Sequence, residues 1–295
     1  MNVSVVIPAY KNTEELVKNI EHNLPFLKDC EIIIVNDFPE KSISEDLKKF
    51  ENITLYENDV NMGFGMTVNI GVHHASHPYV MLLNSDVLLN DTSYAKSIEQ
   101  FSNDKHLFAV SFAQKEQDGT IVGNNRIYWK DGFMYHNRNP KNENGINGWA
   151  EGGSCMIDRE KFLDLHGFDQ LYAPFYWEDI DLSYRAWKSG YDVLFNADIL
   201  VEHHHQSTIG KYFDSKKVTS VTFRNQLLFI WKNINTGSLL SKHIGSLCIL
   251  LAKQLLKGDT VYLAATFQAL MRLPAALSSR SSYRISDTEI LNKFI

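Results

Sequence analysis

Cysteine is scarce in this chain. Cys30, Cys155 and Cys248 are far apart and lack the close spacing of a metal-binding or redox pair. That excludes a disulfide-stapled fold and a zinc ribbon, and it fits a reduced, cytoplasmic setting. Long apolar runs are also lacking. The longest, Ile244–Leu256, is about a dozen residues and contains Lys253, short of the roughly 20 needed to span a bilayer. No transmembrane helix is expected. The apolar stretch at the N-terminus has no basic flank and stops at Pro8, so it reads as a buried strand and not as a signal peptide. An excess of basic charge is missing too: the net charge of −6 argues against a generic nucleic-acid binder. There is no Walker A sequence and no nucleophile elbow. Gly63-Phe64-Gly65 fails as a dinucleotide fingerprint, because Val68 stands where the third glycine belongs and the loop follows the third strand, not the first. P-loop and hydride-transfer chemistry are therefore disfavoured.

What is present is a core. The 295 residues are 44% hydrophobic and 12% aromatic, ample for packed globular structure. The charge is divided along the chain. Residues 1–206 hold 17 Lys/Arg against 31 Asp/Glu, a net −14, whereas residues 207–295 hold 12 against 4, a net +8. An acidic body with a basic tail suggests two jobs.

The pattern of elements is α/β. Val3–Pro8, Glu31–Val35, Ile53–Glu57 and Tyr79–Leu83 are short β-branched or apolar runs typical of strands covered on both faces. Helical spacing separates them: Leu16, Ile20, Leu24 and Leu27 after a capping box at Asn12 and Glu15, then Ser44–Phe50, then a helix from the Asn61–Gly65 loop to Ala75. Alternation with short connections predicts an open, mostly parallel sheet, whose ligands sit at the carboxyl ends of the strands. Tyr10, Asp37 and Asp86 fall there. Residues 115–148 read as irregular strands and loops flanking a site. Helices follow at Arg159–Leu165 and Glu178–Ser189, and a strand-like run spans Val193–Val201. The tail contains helical patterns at Phe223–Trp231, Leu239–Leu256 and Val261–Leu273, the last ended by Pro274.

Three constellations carry chemistry. Asn84-Ser85-Asp86 closes an apolar strand, where one carboxylate can hold a hard divalent cation, although these residues also form ordinary turns. Trp177-Glu178-Asp179-Ile180-Asp181-Leu182 opens a helix behind Phe175 and Tyr176. Its acids are dipole partners in the plain reading. In the functional one, a carboxylate kept ionised by the dipole acts as a general base within an aromatic wall. His203-His204-His205 ends a strand-like run, and one of these imidazoles could complete a metal shell begun by Asp86.

Taken in order, these pieces resemble the family 2 glycosyltransferases with the GT-A fold, especially a bacterial rhamnosyltransferase-like branch. The likeness runs from Val5-Val6-Ile7-Pro8-Ala9-Tyr10 and Asn36-Asp37 through Asn61-Met62-Gly63-Phe64-Gly65 with Asn69 and Gly71, to Leu82-Leu83-Asn84-Ser85-Asp86. It continues with Glu151-Gly152-Gly153-Ser154, Gly167-Phe168-Asp169, the Trp177–Leu182 segment with Arg185 and Gly190, and His203 with Ser207, and echoes at Arg224-Asn225. The resemblance implies a Rossmann-like open sheet over residues 1–207 and a basic, amphipathic helical region over 208–295. It implies that Pro8, Ala9, Tyr10, Asp37, Asn61, Asn69, Asn84, Ser85, Asp86, Gly152 and Gly153 bind a UDP-, dTDP- or GDP-linked sugar. Asp86 and His203 would hold Mn²⁺ or Mg²⁺, with His204 and His205 as alternatives to His203. Asp179 would be the catalytic base, with Glu178 beside it. The first acid of the family's D-x-D element is Asn84 here, which leaves the metal on one carboxylate.

The implied activity is inverting sugar transfer to a hydroxyl of a cell-surface glycan, lipid-linked if the tail meets a membrane. A sugar-nucleotide nucleotidyltransferase would need a Gly- and Arg-rich loop after the first strand, where Ala9-Tyr10-Lys11-Asn12 stands. An inactive carbohydrate-binding scaffold would be expected to have lost the polar positions, which are present. For the tail, two readings stay open: a helical subdomain or homo-oligomer interface, and peripheral docking at the inner face of the plasma membrane, with Lys242, Lys253 and Lys257 meeting anionic head groups.

Overall fold

Strand β1 (Val3–Ala9) is almost wholly buried, as a β-branched run covered on both faces should be. It lies within a ten-stranded sheet in a computed structural model that describes residues 2–203, 214–281 and 283–294. His204, His205 and Ser207 fall outside the described residues. The other strands are β2 (Glu31–Asn36), β3 (Ile53–Glu57), β4 (Tyr79–Leu83), β5 (Val87–Leu89), β6 (Leu107–Glu116), β7 (Ile121–Val122), β8 (Asn125–Lys130), β9 (Phe133–Arg138), β10 (Gly145–Ile146), β11 (Ser154–Asp158) and β12 (Asp192–His203). The main path is β10-β12-β6-β11-β4-β1-β2-β3, and β8 pairs with β9 in a separate hairpin.

Strands β4, β1, β2 and β3 are parallel, as the alternating pattern predicts. The sheet is nevertheless mixed: β11 runs antiparallel to both β4 and β6, while β12 runs parallel to β6. The start of β11 (Ser154 opposite Leu83) and the ends of β4, β6 and β12 (His203 opposite Glu116) all reach the same edge as the ends of β1 and β2.

The sheet buries its two faces separately. Val5 and Ile7 point into one apolar cluster with Leu16, Ile20 and Phe101, from helices α1 (Thr13–Asn23) and α4 (Ala95–Asn103). Val6 points into the other with Val68 and Val72 of α3 (Phe64–His74). This is the period-two alternation of a strand. Gly71 permits the close approach of α3, since a Cβ there would lie 2.4 Å from Val6 Cγ1. Short helices α2 (Ser44–Leu47) and α5 (Arg159–Asp164) cover the flanks, and α6 (Glu178–Ser189) packs beside β12.

Four helices follow: α7 (Ser215–Asn233), α8 (Gly237–Leu256), α9 (Val261–Ser278) and α10 (Asp287–Asn292). Phe223, Leu227, Phe229 and Ile230 of α7 belong to the same cluster as Val6 and Trp177, so packing runs across residue 207 without a break. Buried charges reinforce it. Lys188 Nζ lies 2.8 Å from Asp287 Oδ1, and the other oxygen of Asp287 accepts from the Asn235 and Thr236 backbone N–H groups.

Three local expectations are corrected. Asn12 sits in the left-handed region at φ 52° and makes no side-chain cap, so its contact with Glu15 does not complete a capping box. Pro274 does not end α9, which continues to Ser278; buried Ala276 holds the last turn against the core. Finally, the apolar run Ile244–Leu256 is only part of α8, a continuous 20-residue helix with a window of mean hydropathy 1.3, by length and composition alone long and apolar enough to cross a membrane. The residues ahead of Ile244, which the apolar run leaves out, extend the helix.

Candidate active site

The shared strand edge gathers the polar residues. Directly after β1, Lys11 and Asn12 both adopt positive φ, turning the chain sharply into α1. Tyr10 is 38% exposed and stands edge-on to Phe38, with Lys11 Nζ about 5 Å from both rings. Asp37 is buried beyond β2. Its carboxylate accepts from the N–H groups of Met62 (2.7 Å) and Gly63 (2.8 Å) and from Asn58 Nδ2 (2.8 Å). Asn61 donates to the Asp37 carbonyl at 3.3 Å. Asp37 thus fixes the loop that starts α3. Asn69 is engaged elsewhere: its amide donates to the Phe168 carbonyl and accepts from the Phe168 N–H, at 2.8 and 2.9 Å.

Asn84 is locked in place. Its N–H donates to the Gly153 carbonyl at 2.8 Å, and its side chain lies against Gly153, where a Cβ would approach Nδ2 to 2.5 Å. Gly152 is equally constrained by Phe64, 2.9 Å from the position of a Cβ. Asn19 Nδ2 holds the Ser85 carbonyl at 2.7 Å. These contacts leave Asp86 to project at the edge, with Oδ1 3.4 Å from His203 Nε2. On the other side of that ring, Nδ1 lies 3.4 Å from Glu116 Oε1. Burial alone would lower the His203 pKa, but the hydrogen bond and charge of Asp86, with the charges of Glu116 and Glu151, raise it.

Among the described residues no cluster of three or more His, Cys, Asp or Glu side chains is arranged to hold a metal ion. The pair that is present still suits a divalent cation with open positions. A hard carboxylate oxygen and an imidazole nitrogen face each other, and the Glu116 carboxylate lies close to the far ring nitrogen without a hydrogen bond to it, within reach of the carboxylate–histidine contact common behind metal-bound imidazoles.

The acids of α6 separate into distinct environments. Trp177 and Tyr176 both adopt positive φ immediately before the helix. Such strain in bulky residues persists only where surrounding structure over-determines it. Here Asn225 of α7 supplies the restraint, its Nδ2 contacting the carbonyls of Tyr172, Phe175 and Tyr176 at 2.7–2.9 Å. Arg224 Nη2 adds the Ala173 carbonyl at 2.6 Å. Trp177 packs against Phe229 and His136, forming the aromatic wall.

Asp179 faces the strand edge. Burial first, then the charge of Glu151, raise its pKa to about 7 against the opposing effect of the N–H groups of Ile180, Asp179 and Gly152. Desolvation and the Glu151 charge thus oppose the helix dipole, which on its own would keep this carboxylate ionised. Glu178 turns the other way, into a narrow cleft with Gly65, Asp169 and Phe175. Burial and the Asp179 charge raise it to about 8, and its Oε2 has no hydrogen-bond partner among the described residues. Asp181 is structural. It is fully buried and accepts from Tyr172, Arg185, Lys232 and Asn233.

Two acids escaped sequence reasoning. Glu151, held by the amides of Gln114 and Asn125, contributes charge to both Asp179 and His203. Its only signal was its place before Gly152-Gly153. Glu116 ends β6, a strand that had no recognisable local pattern.

Together the mixed sheet, the Asp86–His203 pair at its edge and the helix-borne carboxylate fit a GT-A-type α/β protein. The chain belongs to glycosyl transferase family 2, whose sequence profile matches residues 4–165. It is 27% identical over 136 residues to the poly-beta-1,6-N-acetyl-D-glucosamine synthase of Staphylococcus epidermidis, covering 45% of this chain and 30% of that protein. It is 22% identical over 196 residues to the N-acetylglucosaminyl-diphospho-decaprenol L-rhamnosyltransferase of Mycobacterium tuberculosis, 56% of this chain and 63% of that one. The matched parts thus span from about a third to under two thirds of these relatives' lengths. In three dimensions it is similar to the mannosyltransferase PcManGT from Pyrobaculum calidifontis in complex with GDP-Man and Mn²⁺. The TM-score is 0.57 at 13% identity, over 94% of this chain and 85% of that one.

Proposed function

We propose that the chain is an inverting glycosyltransferase that moves a sugar from a nucleoside-diphosphate donor to a hydroxyl of a glycan acceptor, lipid-linked in the cell. The observation that carries the proposal is the placement of Asp179, with its raised pKa, at the same sheet edge as Asp86 and His203. Support for a nucleotide-sugar donor and a glycan product comes from family membership and from the relatives' names.

In this reading Tyr10 and Phe38 offer an aromatic face to the base. The loop fixed by Asp37 bounds the ribose, and the Asn84–Asp86 turn with Gly152-Gly153 lies under the diphosphate and sugar. Asp86 and His203 would hold Mn²⁺ or Mg²⁺, which supplies charge to offset that of the departing diphosphate. Asp179 accepts the proton of the acceptor hydroxyl as the new bond forms at the anomeric carbon and the bond to the diphosphate breaks. Attack from the opposite face inverts that carbon. A pKa near 7 suits a general base at neutral pH, and Asp179 is the better placed of the two acids because Glu178 faces the cleft behind. The Glu151 charge raises the basicity of Asp179, and the aromatic wall excludes water.

Thermal-shift screening of nucleotide-sugars with Mn²⁺ identifies the donor, because a bound ligand raises apparent stability. Proton NMR of the transferred sugar then reads its configuration. The expected product has the anomeric configuration opposite to that of the donor; retention contradicts the single displacement.

A further inference from the structure

The α8–α9 hairpin carries exposed apolar side chains well beyond what a water-facing helix pair needs. Ile249, Leu255 and Leu256 on α8 and Phe267, Leu270 and Met271 on α9 are between 50 and 89% exposed. Contiguous apolar surface of this kind marks an interaction site. Its chemistry narrows the partner. Neither helix contains an Asp or Glu. At 3.6 residues per turn, Lys242, Lys253 and Lys257 fall along one flank of α8, beside Ile249 and Leu256. His243 and the partly buried Leu247 and Leu250 face the protein instead.

A second copy of the chain is a poor occupant, because an isologous contact centred on this face would bring three lysines towards their own copies with Asp259 of the turn as the one acid of residues 237–278. An anionic leaflet complements both features, taking the apolar stripe at the acyl boundary and the lysines among the head groups. The hairpin is also fixed sideways. His243 accepts from Trp231 Nε1 at 3.0 Å and contacts the Gly132 carbonyl through Nδ1 at 2.8 Å. Gly132 is pressed so close that a Cβ would meet Ser246 Oγ at 2.6 Å. Held to the body of the protein at His243 and through the partly buried Leu239, Leu240, Leu247 and Leu250, α8 is tethered on one side, which favours lying on a bilayer over crossing it.

We propose that α8 and α9 dock the chain in the plane of an anionic lipid leaflet, through their exposed apolar stripes and the Lys242, Lys253 and Lys257 flank. Lipid binding stands independently of the transferase reading, since it needs neither donor nor acceptor. The experiment is co-sedimentation of the full chain with phosphatidylcholine vesicles, with and without phosphatidylglycerol, over a range of salt. Expected is salt-sensitive binding to the anionic vesicles and little to the neutral ones. Replacing the lysines together (Lys242→Gln, Lys253→Gln, Lys257→Gln) should weaken binding on the order of 100-fold, while the matching Lys→Arg set retains it. A second variant, Phe267→Ser with Met271→Ser, should also lose binding with unchanged circular dichroism. Equal or absent binding to both vesicles overturns the proposal, as does full binding by both neutralised and apolar variants. A dimer in analytical ultracentrifugation that the apolar variant dissolves assigns the face to a second copy. Retention in vesicles after an alkaline wash overturns in-plane docking.

Discussion

Lys232 Nζ lies 2.9 Å from Asp181 Oδ2, a buried ion pair between α7 and the helix that carries Asp179. Burial alone would raise the Asp181 carboxyl, but the charges of Arg185 and Lys232 and the amide of Asn233 hold it well below the usual carboxylate range. Lys232 also reaches Asp169 Oδ2 at 2.7 Å. Arg185 still pairs with Asp181 when Lys232 is removed, so Lys232→Met should cost about 1.5–3 kcal/mol, the size of one charged buried hydrogen bond. Urea unfolding measures this. A loss below about 1 kcal/mol, the size of an exposed pair, would show that the network is not what joins the C-terminal helices to the site.

The pH dependence follows from the acid cluster. In the proposed reaction Asp179 must be ionised to accept a proton, so kcat/KM should rise with pH through the region near 7. Glu151→Gln removes a charge that raises Asp179, and should move this acidic limb to lower pH. A limb that stays in place argues against the Glu151–Asp179 interaction.

Stability changes in the opposite sense. A carboxyl whose folded-state pKa is raised contributes stability that is present below its unfolded pKa and is lost as pH rises through the folded value. Asp179→Asn lacks this loss. Its melting temperature should therefore gain on that of the unaltered protein between about pH 5 and pH 8. A constant difference across that range contradicts the raised pKa.

Glu116 Oε1 lies 3.4 Å from the His203 ring nitrogen opposite Asp86, placed to orient the ring once a metal is bound. Glu116→Gln should weaken Mn²⁺ affinity about 10–100-fold, and Asp86→Asn should weaken it further. Titration of free Mn²⁺ by electron paramagnetic resonance reads both. Unchanged affinity in both variants removes the metal from this pair.

Asn225 restrains the carbonyls of Tyr172, Phe175 and Tyr176 ahead of the positive-φ residues Tyr176 and Trp177. Asn225→Ala should lower kcat far more than it alters donor KM, because it releases the segment that presents Asp179. Asn225→Asp supplies no donor and should not rescue. Equal kcat in all three proteins contradicts the positioning role.

Much of this was readable from local pattern. Ile53–Glu57, Tyr79–Leu83 and Glu178–Ser189 follow from β-branched runs and from an acidic start with Gly190 at the end, and the structure keeps those bounds. The strand ends placed Tyr10, Asp37 and Asp86 together for the same reason. What was hidden depends on distant pairing. β6 and the β8–β9 hairpin are stabilised by neighbours far along the chain, so Glu116 had no visible context. The raised pKa of Asp179 is not legible locally, because the dipole acts within the helix whereas burial and Glu151 arrive through the fold. Asp181 stood in the same acidic run as Asp179, and only packing separates the structural acid from the one facing the site.

The role proposed for Asp179 is that of the base in a sugar-transfer reaction at this strand edge. Release of nucleoside diphosphate from the identified donor, with acceptor and Mn²⁺, measures it in the unaltered protein, in Asp179→Asn and in Glu178→Gln. The account predicts a loss of about 10²–10⁴-fold for Asp179→Asn, with donor binding retained and a smaller effect at Glu178. A near-unaltered rate for Asp179→Asn, or a larger loss for Glu178→Gln, would contradict it.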